Sequence, residues 1–143
     1  AVVALRSIAT APYMQPSSEA EPPSVEWHEL NTNDVERSWS IYSALFDWNV
    51  AGDLPLALPG VTGPYRTFGW DESAVGGMVT SAPHEHVPNH WLFHFGVSDL
   101  DRATERVVEQ GGRVMHGPSA HVHGGRVSHC EDRHRAAFAL YEY

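Results

Sequence analysis

The alternation of apolar and polar side chains divides this chain into short strands and two helices. Val25–Asn31 (VEWHELN) alternates with a period of two, the pattern of a half-buried strand. Asp34 follows and can cap a helix to about Phe46, with Val35, Trp39, Tyr42, Leu45 and Phe46 on one apolar stripe. Residues 49–63 hold Gly52, Pro55, Pro59, Gly60 and Gly63 and read mostly as loop. Tyr65–Trp70 and Ala74–Ser81 read as two strands joined by a turn at Asp71-Glu72-Ser73, and Pro83–Pro88 as a connection. A second alternating strand, His90–Val97, precedes Asp99 and Asp101. Either can cap a helix to about Gln110 that stops at Gly111-Gly112. Three short strands close the chain, roughly Arg113–His116, Gly125–Cys130 and Ala136–Tyr141.

These elements repeat. Asp34 and Asp99 stand 65 positions apart, and each ends a strand and opens a helix. The repeat predicts an α+β domain of two βαβββ modules, 25–82 and 89–143, forming a curved mixed sheet around a cavity. Helices would cover one face and leave the other as a trough lined by alternate strand residues. Residues 1–24 stand apart. Ala1–Ile8 reads as one strand, and four of the ten prolines fall between Thr10 and Ser24, the composition of an extended linker. Such an apolar strand on a linker reaches a neighbouring sheet edge, so a homodimer is expected.

Composition narrows the partners. A length of 143 residues suits one compact domain. No run approaches the ~18 apolar residues of a membrane span, and Ala1–Ala11 lacks the pattern of a signal peptide. No membrane partner is therefore expected. The lone Cys130 excludes an intrachain disulfide and suits the cytoplasm. A net charge of -9 argues against nucleic acid and suits a cationic small-molecule ligand. All nine basic residues are arginine, which excludes Schiff-base chemistry.

Read in order, Trp27-His28-Glu29-Leu30, Asp34, Ile41-Tyr42, Leu45-Phe46-Asp47-Trp48, Tyr65, Gly76-Gly77-Met78, His90-Trp91, Val97-Ser98-Asp99, Gly111-Gly112 and Gly125-Arg126 form a pattern. In this pattern the chain from about Val25 to Tyr143 resembles the vicinal oxygen chelate superfamily, which includes glyoxalase I, bleomycin-resistance proteins and extradiol dioxygenases. The closing signature departs from it: Asp132-Arg133-His134-Arg135-Ala136-Ala137-Phe138 stands where DP-x-GA-x-F is expected. Arginine at 135 in place of glycine implies a turn that no longer needs a positive φ.

The resemblance implies metal ligands seven residues before each strand-ending Asp and seven after the Asp of the closing signature. Those positions hold Trp27, Leu92 and Ala139, and the matching strand of the first half, Ala74–Ala82, has no His, Cys, Asp or Glu. No metal and no cofactor are therefore expected. If the family's geometry holds, Trp27, Glu29 and Asn31 look into the trough with Leu92, His94 and Gly96. Glu29 and His94 are repeat-equivalent, each five residues before its Asp. They are the candidate catalytic pair, with a His pKa raised by the carboxylate. Trp27, Asn31, Leu92 and Tyr141 are the candidate ligand-binding residues, with Trp91 and Trp70 as further aromatic walls.

The expected function is a metal-free small-molecule binder of this superfamily. One alternative is a lyase or dioxygenase-type enzyme using Glu29 and His94, or relocated histidines. Another is a vestigial module acting in dimerisation or partner binding. His84-Glu85-His86 and His121-Val122-His123 read as solvated loop histidines. Gly76-Gly77 and Gly124-Gly125 read as tight strand entries.

Overall fold

The computed structural model describes residues 24–55, 61–70, 73–81 and 88–143. The expectations for residues 1–23 (strand, linker and self-association) and for His84–His86 lie outside the described residues.

The strands are β1 (Val25–Thr32), β2 (Asn49–Leu54), β3 (Val61–Trp70), β4 (Ser73–Ser81), β5 (His90–Gly96), β6 (Arg113–Ala120), β7 (Arg126–Glu131) and β8 (Ala137–Glu142). Helix α1 spans Val35–Phe46 and α2 spans Leu100–Glu109. They build one eight-stranded sheet in the order β2-β3-β4-β1-β5-β8-β7-β6. The two βαβββ halves join through the antiparallel pair β1 and β5, and in each half the first strand runs parallel to the last.

The two helix starts are near copies. Asp34 accepts from the Arg37 amide and Asp99 from the Arg102 amide, each at 2.9 Å, with both caps in extended backbone. Such a cap stabilises by about 1 kcal/mol. One face of the sheet packs against the helices. There Leu30, Phe68 and Met78 meet Val35, Trp39 and Tyr42 of α1, while Leu100, Cys130 and Leu140 meet Ala103 and Val107 of α2. Leu45, expected on the α1 stripe, is instead 64% exposed, and α1 has no fully buried residue. Trp91 lies under α1 with its indole on the Tyr42 hydroxyl, and Trp70 is exposed on the Phe46 carbonyl. Neither is a wall of the trough. Trp91 shares its face of β5 with Phe93 and Phe95, opposite Leu92 and His94.

Two strand expectations are corrected. Asn49–Leu54 is an edge strand paired to β3, where a loop was expected, and β3 begins at Val61. Its hydrogen bonds come from a distant partner, and its mostly exposed side chains leave no apolar alternation to read. Gly76 and Gly77 lie inside β4, not at its entry. A Cβ at Gly76 would stand 2.4 Å from the Phe68 ring and one at Gly77 2.2 Å from the Tyr65 ring. These glycines make room for aromatic rings on opposite faces of the sheet.

The closing turn corrects a third expectation. Arg135 has φ 73, so the turn still takes the left-handed conformation and a non-glycine residue bears it. Asp132 holds the turn by accepting from the amides of His134 and Ala136.

Candidate functional site

The uncovered face of the sheet carries the polar chemistry. Trp27, Glu29 and Asn31 project from β1 into it. On the β3–β4 side the wall is Tyr65 and Val79, and on the far side Leu92, Val127, Ala139 and Tyr141. Both Glu29 and Trp27 are nearly sealed from solvent.

A chain of hydrogen bonds fixes the carboxylate. The Trp27 indole donates to the Tyr65 hydroxyl at 2.8 Å, and that hydroxyl donates to Glu29 Oε2 at 2.9 Å. Asn31 Nδ2 donates to Oε1 at 3.0 Å. Burial, with the Glu29 charge second, holds the Tyr65 pKa well above its ordinary value, so Tyr65 remains a donor.

Opposite Glu29 the site is underfilled with partners. His94 is fully buried, and neither of its ring nitrogens has a hydrogen-bond partner. His121 reaches in from the loop after β6. Its Nδ1 accepts from the His123 amide at 3.3 Å, and its buried Nε2 has no partner. Leaving such groups dry costs about 1–3 kcal/mol each. Ligand atoms of Glu29, His94 and His121 all lie within 4.8 Å of one another.

The imidazoles form a cluster. The His94 ring is 5.3 Å from that of His121 and 6.1 Å from that of His129, and the His129 ring is 5.9 Å from that of His116. Trp27 stacks on His123 at 4.7 Å. Burial first, then the neighbouring His121, His129 and His28, pushes the His94 pKa down to about 3. This corrects the expectation of a pKa raised by Glu29: desolvation in a pocket shared with other imidazoles wins. Burial likewise takes His121 to about 4, with His123 and His129 adding to it. Burial lowers His129 too, and Glu29 opposes that shift. His94 and His121 are thus neutral at pH 7, with lone pairs free to bind.

All six residues expected at the site line the trough. Glu29 and His94 come close together, Trp27 and Asn31 flank the carboxylate, and Leu92 and Tyr141 pack in the opposite wall. Three further residues were missed. Tyr65 and His129 were legible in principle, since each sits at an alternate position of its strand. His121 gave no such signal. Its loop folds back because Gly124 and Gly125 adopt φ 94 and 71, and because Tyr141 donates its hydroxyl to the Gly124 carbonyl at 2.8 Å. The expected solvated histidine is 9% exposed.

A cleft of roughly 620 Å³ lies on the helix side, between α2 and the 132–134 turn, lined by Val107, Arg133, His134 and Phe138 among others. None of its lining residues has a buried unpartnered polar side-chain atom, whereas the trough has three such ring nitrogens. The trough is the better candidate.

A profile of the Glyoxalase/Bleomycin resistance protein/Dioxygenase superfamily matches residues 24–140. The chain belongs to that superfamily. It is 30% identical to CFP32 of Mycobacterium tuberculosis, named as a candidate glyoxylase, over 90% of this chain and 49% of that protein. It is 29% identical to the anthracycline biosynthesis protein DnrV of Streptomyces peucetius, over 80% of this chain and 45% of that one. The chain therefore spans about half the length of these curated relatives. Among solved structures, a methylmalonyl-CoA epimerase from M. tuberculosis superposes with a TM-score of 0.62 at 14% identity, covering 91% of this chain and 93% of that one. A methylmalonyl-CoA epimerase in complex with methylmalonyl-CoA and NH4+ gives 0.61 at 16% identity, covering 84% and 94%. At such identity the likeness is one of fold.

By the family resemblance, the superfamily's metal positions would fall at Trp27, Leu92 and Ala139, residues that offer no ligand atom. The expectation of a metal-free cavity rests on those positions alone. Glu29, His94 and His121 are a second donor set one rung away.

Proposed function

We propose that the trough of this glyoxalase-like module binds a small molecule. Glu29 accepts from a donor or cationic group of the ligand, and Trp27, Leu92 and Tyr141 supply apolar walls. The observation that carries this reading is His94, fully buried beside Glu29 with both ring nitrogens unpartnered. A buried imidazole in that condition calls for a partner, and the trough beside it is where one can enter. The relatives give the reading support of a general kind. By their names, the curated relatives belong to anthracycline biosynthesis or with the glyoxylases.

An enzyme is the second reading. It is favoured by the proximity of a carboxylate with fixed donors to an imidazole that stays neutral at pH 7. Such a pair can hold and move a proton at a ligand atom placed between them.

A panel of small aromatic amines and amidines, followed by backbone amide chemical shifts, tests the binding reading. Shifts centred on Trp27, Glu29, Asn31 and His94 are expected. Glu29→Gln should weaken that binding by about 1.5–3 kcal/mol, the range of a charge-assisted hydrogen bond. Shifts confined to the α2 cleft, or none across the panel, would argue against it.

A further inference from the structure

We propose that Glu29, His94 and His121 form a site for a divalent transition-metal ion, zinc first among them, displaced one rung from the superfamily's usual positions. The inference rests on reading the trough as the binding site, and it names what first meets Glu29 there.

The donor set is the first argument. One carboxylate and two imidazoles, with ligand atoms gathered within 4.8 Å of one another, have the composition of the three-ligand sets that hold zinc with a position left open. Such a set suits borderline metals and not calcium or magnesium, which take oxygen ligands.

The second argument is the condition of those donors. Both His94 nitrogens and the His121 Nε2 are buried and unpartnered, and His94 is 0% exposed. Three unused ring nitrogens gathered in one pocket call for partners there. Ligation through His121 Nε2 puts that ring's proton on Nδ1 and gives up only the 3.3 Å contact from the His123 amide.

The third argument is the outer shell. Ligating carboxylates are themselves hydrogen-bonded in metal sites, which fixes their orientation. Here Tyr65 and Asn31 each donate to one oxygen of Glu29, and Trp27 donates in turn to Tyr65. Glu29 accepts both bonds and keeps lone pairs for a cation.

The register explains the displacement. Trp27 of β1 pairs with His94 of β5, and Glu29 pairs with Leu92. Each of these cross-strand pairs holds one of the family's vacated metal positions and one candidate ligand. The two ligands are therefore diagonal neighbours, within reach of one ion. Ala139, the third vacated position, pairs with His94 from the other side, and His121 arrives over the loop.

The test uses the full chain, stripped with a chelator and titrated with Co2+ and then Zn2+. One equivalent of Co2+ should bind with visible ligand-field absorption, and Zn2+ should displace it. His94→Ala and His121→Ala should each weaken binding by at least about 100-fold, more than the 10–100-fold usual for an outer-shell partner. Glu29→Gln keeps shape and should also lose the tight site. His94→Gln serves if His94→Ala fails to fold, with far-UV circular dichroism as the check. His84→Ala/His86→Ala should leave binding unchanged. Loss of binding in that double variant, or full binding in His121→Ala, overturns the proposal. If the amine panel binds the stripped protein at Glu29 but Co2+ does not, the metal inference fails and the binding reading stands. If neither binds, both fail.

Discussion

Tyr65 of β3 reaches Glu29 of β1 across the intervening strand β4, passing over Gly77, and donates its hydroxyl at 2.9 Å. The phenol is the link between the apolar half of the trough and its only buried carboxylate among the described residues. Tyr65→Phe keeps the ring and removes the donor, leaving Glu29 Oε2 dry and the Trp27 indole without its acceptor. Stability should fall by about 1.5–3 kcal/mol, the range for a hydrogen bond to a charged group. Urea denaturation measures it; an unchanged midpoint would mean that water replaces the hydroxyl.

Gly77 should tolerate nothing larger. A Cβ there would stand 2.2 Å from the Tyr65 ring, so Gly77→Ala must displace the phenol. A loss of about 1–3 kcal/mol, the usual cost of overpacking, is expected, with weaker ligand binding because Glu29 loses its donor. Gly52→Ala on β2 is the contrast. Its Cβ would meet only Thr67 at an ordinary 3.5 Å, and the change should be neutral or slightly stabilising. Thermal melts of the two variants should separate clearly; equal behaviour would contradict the close approach.

Arg135 bears a left-handed backbone where the superfamily's signature has glycine. Arg135→Gly relieves about 1–2 kcal/mol of steric cost but gives back some chain entropy and an exposed pair with Glu131. A net gain of about 0.5–1 kcal/mol in chemical denaturation is expected. A loss would show that the arginine's contacts outweigh its strain.

The buried histidines should make the chain acid-labile when no metal is bound. His94 sits at about 3 when folded, against an ordinary value of 6.5, and His121 at about 4. The unfolded chain therefore binds more protons between these values, and stability falls as pH drops below about 6.5. The slope approaches 1.4 kcal/mol per pH unit for each group. His121, His129 and His28 act on His94 in the same direction. Urea melts of chelator-treated protein at pH 7 and pH 5 should show the loss, and His94→Gln should reduce it, with His121 and His129 carrying the remainder. Identical pH slopes in the two proteins would mean that His94 is reached by solvent.

How much of this was legible in the sequence depends on where each residue's partners lie. Asp34 and Asp99 act on amides three residues ahead, so both helices and the repeat could be read directly. Glu29 and His94 were placed on one face by period-two alternation and the repeat, and on the trough side by the family resemblance. Strand β2 was hidden because its pairing with β3 is nonlocal and its side chains face water. His121 was hidden for a related reason: the contact that seats its loop, Tyr141 to Gly124, joins residues 17 apart. The Trp91 assignment failed because an aromatic residue next to the trough strand's alternation serves the helix face equally well. Arg135 failed because the turn's geometry is set by Asp132 and not by the residue that endures it.

The central claim is that Glu29, His94 and His121 form one binding site, and the histidine rings report on it most directly. Long-range 1H–15N spectra of the stripped chain should show His94 and His121 neutral at pH 7. On adding one equivalent of Zn2+, both rings should shift together to metal-bound positions, while exposed His134 stays unchanged. If zinc moves only exposed histidines, or moves His94 without His121, the account is contradicted.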